Sequence, residues 1–215
     1  MKSGSRRTAP RGPSGAAPPP PDWLGKISLP IDEIGPGQVL YRVHRSSFDP
    51  VFFGPGSGVP PTNRFDCASS RFGVLYCGLT LRGALAETLL RNPQRLMVAS
   101  TDIAGRSATS LVCPRALRVV RLHGAGLQMV GTDNAISTGP YEPCARWSDA
   151  LWDHEDKPDG LAYQSRHDSG ETCLALFERP DVRLTAQQTC PLSQMLREVA
   201  EVLNIFGKSV SEPSA

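Results

Sequence analysis

A carboxylate at the edge of an apolar helix face, with a tyrosine eleven residues upstream, is the pairing in this chain best suited to chemistry. The two residues are Glu87 and Tyr76, within the stretch Phe72 to Arg91. Gly73 to Leu79 reads as a short buried strand, and Thr80 offers a side-chain oxygen as the N-cap of a helix over Leu81 to Arg91. On that helix Leu81, Ala84, Leu85, Thr88 and Leu89 share one face, which leaves Glu87 on the flank, at the border between core and cleft. Tyr76, on the strand that feeds the helix, can point into the same pocket. The competing reading is a solvated pair of Glu87 with Arg91, acid first and four residues apart, worth about 0.2 to 0.5 kcal/mol.

Other polar groups are candidates of lower specificity. Gln38 to His44 alternates as a strand in which Arg42 shares a face with Leu40 and His44, and so points away from Tyr41. An arginine there ordinarily faces solvent at a sheet edge. Arg64, in Asn63-Arg64-Phe65-Asp66, stands just before the central strand. Gly54-Pro55-Gly56-Ser57-Gly58 lacks the Gly-Lys-Ser/Thr of a phosphate-binding loop and the strand-to-helix setting of a dinucleotide fingerprint. Ser165, His167 and Asp168 sit too close together in sequence for a serine-hydrolase relay, and no Gly-x-Ser-x-Gly elbow is present.

Around these residues the chain reads as alternating short strands and helices. Residues 1–22 form a basic Pro- and Gly-rich leader expected to be disordered, since it has too few apolar groups to offset the entropy of ordering it. Residues 48–62 are a loop by their density of proline and glycine. Strands are expected over Leu96 to Ile103, Ala116 to His123, Gly160 to the polar tip at Asp168, and Glu171 to Phe177, with an edge at Pro180 to Leu184. Gly124 to Gly139 is a glycine-punctuated loop with a short helical piece, and Glu142 to His154 a helix by the spacing of Cys144, Trp147 and Leu151. Leu192, Met195, Leu196, Val199, Val202, Leu203 and Phe206 make an amphipathic helix, residues 190–207, that docks on the domain or forms an interface.

Composition narrows the class. A chain of 215 residues with 40% hydrophobic content holds one sizeable core, and it has no apolar run long enough to span a bilayer and no secretory signal. Six dispersed cysteines without a Cys-x-x-Cys pair read as reduced, buried thiols of a cytoplasmic protein, with no metal site expected. The net charge of +2 is concentrated in the leader, where Lys2, Arg6, Arg7 and Arg11 stand without an acid. The folded part is thus mildly acidic, which argues against direct nucleic-acid binding by that part.

Taken together, Leu-Tyr41-Arg42-Val, Asn-Arg64-Phe-Asp, Leu-Tyr76-Cys, Ala-Glu87-Thr and Asp159-Gly-Leu-Ala-Tyr-Gln-Ser165-Arg166 resemble the RES domain, over roughly residues 37–185. That family is named for an arginine, a glutamate and a serine, here Arg42, Glu87 and Ser165. The second motif usually opens with glycine, and here Asn63 replaces it. The resemblance implies an α+β fold akin to ADP-ribosyltransferases, with a split, twisted sheet, flanking helices and NAD as substrate. It further implies that Glu87, Arg42 and Ser165 are catalytic and that Arg64, Tyr76, Tyr41 and Arg166 bind substrate, with Tyr76 against nicotinamide and the Ser165 hydroxyl on a ribose or amide group. RES proteins are typically toxins restrained by an Xre-like antitoxin protein. The implied activities are phosphorolysis or hydrolysis of NAD, or ADP-ribose transfer to a protein, and a homodimer through the last helix is a further expectation.

Overall fold

The computed structural model describes residues 15–211. They form an α+β fold in the order β1 (Ile31–Ile34), β2 (Leu40–Arg45), β3 (Val74–Gly78), α1 (Leu81–Leu89), β4 (Met97–Ala99), α2 (Ser100–Ala104), β5 (Arg106–Val112) and β6 (Leu117–Leu122). The chain continues through α3 (Ala125–Val130), α4 (Ala135–Thr138), α5 (Tyr141–Trp152), β7 (Gly160–Gln164), β8 (Thr172–Phe177), β9 (Thr185–Pro191), α6 (Leu196–Ile205) and β10 (Ser209–Ser211). Eight strands make one sheet in the order β1-β6-β7-β8-β3-β2-β5-β9, and β10 pairs with β4 in a second, two-stranded sheet. Neighbours in the large sheet are antiparallel except β6 and β7, whose parallel pairing needs the long crossover through α3, α4 and α5.

The sheet is open in its middle. Among the described residues β2 and β3 are in register at Tyr41 opposite Gly78 alone, whereas β2 pairs with β5 from Leu40 to Arg45 and β3 pairs with β8 along its length. The two halves diverge from that one point, as strands of a twisted sheet do when the ladder between them is not continued. Gly78 makes the local geometry possible. A Cβ there would stand 2.7 Å from the Thr80 carbonyl oxygen and 2.8 Å from the Ala84 nitrogen, so only glycine lets β3 turn at once into α1. Thr80 then caps α1 as expected, its Oγ1 accepting from the Gly83 N–H at 3.0 Å. Gly83, Ala84, Leu85 and Ala86 are the buried residues of α1, a small-residue face that lets it lie close to the sheet.

Helices cover both regions beside the split. α5 buries Cys144, Trp147 and Leu151 against Phe65, Val120 and Phe177, as its periodicity predicts. α6 places Val199, Val202 and Leu203 with Leu85, Leu90, Val98 and Ile103, so its apolar stripe is covered by the domain's own core, while Leu196 and Ile205 stay exposed. A third cluster, with Leu40, Leu75, Leu111, Leu117 and Leu176, fills the remaining face of the sheet. The six thiols are free, and all but Cys190 are buried. No helix among the described residues is long and apolar enough to cross a membrane.

Several expectations are corrected. β1, β5, β9 and β10 were not expected as strands, and Leu96 to Ile103 divides into β4 and α2. The edge expected over Pro180 to Leu184 is connecting chain, and the edge strand is the exposed, polar β9 that follows. The leader boundary also moves. Residues 1–14 lie outside the described residues, but Ala17 is 5% exposed within the core, the Pro18 carbonyl accepts from Trp147 Nε1 at 2.8 Å, and Gly131 packs against Pro21 and Trp23. The segment from residue 15 to residue 22 is therefore part of the packing around α5 and not a free tail.

Candidate active site

The split between β2 and β3 opens into a cavity of about 210 Å³. Tyr41, Arg42 and Val43 line it from β2, Tyr76 and Cys77 from β3, and Ala84, Glu87, Thr88 and Arg91 from α1 and its end. Consecutive residues of a strand normally face opposite sides. Tyr41 and Arg42 both reach the cavity because β2 borders an opening there and not a continuous sheet. Arg42 is thus not the solvent-facing edge residue of the simplest reading. Its Nη1 donates to the Phe52 carbonyl at 3.0 Å, and burial lowers its pKa from the ordinary guanidinium value.

Glu87 is the best-held carboxylate of the cavity. Its Oε1 accepts from Ser165 Oγ at 2.6 Å and from the Arg166 backbone N–H at 3.1 Å. Arg91 Nε donates to the Glu87 carbonyl oxygen at 3.0 Å, and no Glu87–Arg91 ion pair forms among the described residues, so the solvated-pair reading fails. Ser165 is 3% exposed and itself accepts from the His167 and Asp168 N–H groups, each at 3.2 Å. Its hydroxyl is directed to Glu87 and it is not among the residues lining the cavity, which departs from the expected contact with a ribose or amide. The loop that presents Ser165 is closed onto the start of α1 by Arg82 Nε to Asp168 Oδ2 at 2.7 Å and Thr80 Oγ1 to Glu171 Oε2 at 2.5 Å. A strand end, a helix flank and a pinned loop therefore fix one carboxylate oxygen from two donors.

Tyr76 is held through Asp66, and Arg64 by carbonyls around α4. This fully buried carboxylate accepts from the Thr62 N–H at 2.8 Å, the Asn63 N–H at 2.6 Å and the Tyr76 hydroxyl at 2.9 Å, while the Phe65 N–H donates to the Tyr76 oxygen at 2.9 Å. Burial first, and the Asp66 charge second, push the Tyr76 phenol well above its ordinary pKa. Tyr76 therefore offers the cavity its ring and not its hydroxyl. Arg64 is 7% exposed and donates through Nη1 to the carbonyls of Ile136 at 3.4 Å and Gly139 at 2.7 Å, with the Tyr141 ring 4.6 Å from its guanidinium carbon. Its Nη2 is buried and has no partner among the described residues. The group this geometry can receive carries negative charge near Arg64 and Arg42 and presents a hydroxyl or developing positive charge to Glu87.

With that arrangement in view, comparison with known proteins is decisive for the family. The RES domain model matches residues 39–195. This chain belongs to the RES domain family. A curated relative, "Probable toxin y4kH" of Sinorhizobium fredii (strain NBRC 101917 / NGR234), is 36% identical over 97 residues, which cover 45% of this chain and 75% of that protein. Among solved structures, a chain of the M. tuberculosis MbcT-MbcA toxin–antitoxin complex superposes with a TM-score of 0.61 over 80% of this chain and 92% of that one, at 17% identity. The second likeness is one of fold.

Within this RES domain the structure brings Arg42, Tyr41, Arg64, Tyr76, Glu87 and Arg166 to one cavity and sets Ser165 behind Glu87. Tyr163, His167, Cys173, Ser137 and Tyr141 also line it. The sequence signals for these were of uneven value. Tyr163 lies in the Ser165 motif and His167 directly follows it, and the spacing argument against a hydrolase relay gave no reason to consider them otherwise. Burial lowers the His167 imidazole below its ordinary pKa, against the pull of Glu87. Ser137 and Tyr141 had no signal, since they approach Arg64 from 73 and 77 positions further along the chain.

Proposed function

We propose that this protein binds NAD in the split of its sheet and cleaves the bond between nicotinamide and ribose. The observation that carries the reading is Glu87 Oε1 held by Ser165 Oγ and the Arg166 N–H at the edge of a cavity that Arg42, Arg64, Tyr41 and Tyr76 also line. Loss of nicotinamide builds positive charge on the ribose, and a carboxylate already oriented toward it stabilises the transition state without reorganising. Arg42 and Arg64 suit the diphosphate, for which planar, multidentate donors are better than lysine. Tyr76 and Tyr41 flank the nicotinamide as rings, Arg166 lines the ribose side, and Ser165 acts by fixing Glu87. The acceptor at the ribose is inorganic phosphate, water or a protein nucleophile.

The family and the relatives named as toxins support a cellular role as the toxin of a toxin–antitoxin pair, acting on the cytoplasmic NAD pool. The antitoxin, an Xre-like protein by the family's pattern, would enter the cleft with a carboxylate or chain terminus directed to Arg42 and Arg64, and would compete with NAD. Purified protein should deplete NAD and release one nicotinamide for each NAD lost. Running the assay with and without inorganic phosphate, and in the presence of candidate acceptor proteins, separates the three acceptors. If NAD survives in all conditions, a nucleotide-binding module without turnover is the better account. Expression without a partner tests the toxin role, which fails if the wild type slows growth no more than Glu87→Gln does.

A further inference from the structure

Two buried donors on residues that line the cavity have no partner among the described residues, Arg64 Nη2 and Ser137 Oγ. Both side chains are more than nine-tenths buried, at 7% and 2% exposure. Arg64 is tied down on the turn that carries Ser137. Nη1 donates to the carbonyls of Ile136 and Gly139, which bracket Ser137 on the α4 turn, so the guanidinium is tied to the same turn that carries the hydroxyl, and both residues line the one cavity. Tyr141 lies over the guanidinium, and the hydrogen bonds from Thr62 and Asn63 to Asp66 fix the backbone that leads into Arg64.

A buried donor left without an acceptor destabilises a fold, and its persistence calls for a reason such as a ligand that completes it. Here two such donors belong to residues lining one cavity, one of them on a cation that forms no ion pair with a carboxylate among the described residues. Such a pair suits an anion that offers more than one oxygen, and the tetrahedral oxygens of a phosphate match a guanidinium edge together with a hydroxyl. We propose that Ser137 Oγ and Arg64 Nη2 form a binding site for phosphate oxygens, and that Ser137 is a substrate-binding residue of this protein. That the phosphate is part of the dinucleotide's diphosphate rests on the function proposed above.

The test uses ADP, which carries the diphosphate and lacks the scissile bond. Binding of ADP and of nicotinamide is measured by calorimetry, and melting temperature in parallel, for wild type, Ser137→Ala and Thr132→Ala. Thr132 supplies the control, because its hydroxyl is likewise buried and unpartnered but does not line the cavity. Ser137→Ala should weaken ADP about tenfold, the effect of losing one hydrogen bond to a charged group. It should leave nicotinamide affinity unchanged and melt no lower than wild type, since it removes an unsatisfied hydroxyl. Thr132→Ala should also melt no lower and should bind ADP as wild type does. The proposal is overturned if wild type does not bind ADP, if Ser137→Ala binds it equally well, or if Ser137→Ala melts lower and loses both ligands together, as a scaffold residue would. ADP weakened by Ser137→Ala in a protein that leaves NAD intact would uphold the phosphate site and sink the NAD-cleaving reading. NAD turnover with KM and ADP affinity untouched by Ser137→Ala would do the reverse.

Discussion

Replacing Ser165 by alanine separates a residue that touches substrate from one that acts through Glu87. The hydroxyl donates to Glu87 Oε1 at 2.6 Å and accepts two backbone N–H groups at 3.2 Å. A hydrogen bond to a carboxylate is worth about 1.5 to 3 kcal/mol. If its loss falls wholly on the orientation of Glu87 in the transition state, kcat drops by about 10- to 100-fold, at roughly 1.4 kcal/mol for each tenfold. The N–H groups of His167 and Asp168 lose their acceptor in the same variant. That costs about 2 to 4 kcal/mol of stability, which the Arg82–Asp168 and Thr80–Glu171 contacts keep from becoming loss of the loop. The assay is nicotinamide release at limiting and saturating NAD by wild type, Ser165→Ala, Glu87→Gln and the double variant, with urea unfolding of each. Glu87→Gln alone should lose at least about a hundredfold in kcat while still binding NAD, because its charge is called on in the transition state. Ser165→Ala should lower kcat with KM within about twofold, and the double variant should turn over no more slowly than Glu87→Gln alone. Independent, multiplying losses together with a raised KM for Ser165→Ala would refute the argument and put the serine hydroxyl on the substrate.

Three further outcomes follow from the packing and the titrations. Deleting residues 1–21 should lower the melting temperature by about 4 to 10 °C, since Trp147 Nε1 loses its acceptor and the core around Ala17 is exposed, at about 2 to 4 °C per kcal/mol for a domain of this size; an unchanged melting curve would show that this segment does not contribute. Burial pushes the Cys77 thiol up to about 12, so at pH 8 only about 10⁻⁴ of it is thiolate, and peptide mapping after brief iodoacetamide treatment should find half-buried Cys190 alkylated well before Cys77 although Cys77 lines the cavity. Because the folded-state pKa of His167 lies below its unfolded value, the folded state resists its protonation, and stability present above the ordinary histidine value near 6.5 is lost as pH falls from there through the folded pKa. Glu87, Arg166, Arg91 and Arg64 face the same group, and His167→Gln should flatten the fall in urea midpoint between pH 7 and pH 5.

What could be read in advance depended on how local the determining contacts are. The unit from Tyr76 to Glu87 was legible because glycine at 78, the Thr80 cap and the small-residue face of α1 all act within a dozen residues. α5 and α6 were legible by period. β5 and β9 were not, because the polar residues Ser107, Thr109 and Thr189 hide the pattern of a buried or paired strand. Their hydroxyls are satisfied across strands: Thr109 Oγ1 meets His44 Nε2 at 2.9 Å and Thr189 Oγ1 at 2.8 Å, and Ser107 meets Ser46 at 2.8 Å. Satisfied in this way, Ser107 and Thr109 are buried without penalty, Thr189 pairs on the exposed edge, and hydropathy cannot distinguish such residues from a loop. The leader misled in the same manner, because Pro18 contributes an acceptor to Trp147 and not an apolar side chain.

The same distinction explains why the site arginines were recognised by family resemblance and not by physics. Arg42 reads alone as a surface charge, and nothing local marks Arg64. Arg64 is buried by carbonyls 72 and 75 positions later, and Arg42 by the splaying of β2 from β3, neither of which leaves a trace in the local pattern. The solved structure of similar fold matches this one over 92% of its length at 17% identity. An opened sheet constrains the sequence weakly, since it asks mainly for a glycine where the strands meet and for strands that diverge beyond it. The side chains along the opening are then free of sheet pairing on one side, and in this protein those positions hold Tyr41, Arg42, Tyr76 and, across the gap, Glu87. Closing the ladder between β2 and β3 would bury or displace all four together, so the break in hydrogen bonding that looks like a defect of the sheet is what gives the carboxylate and the arginines a common space.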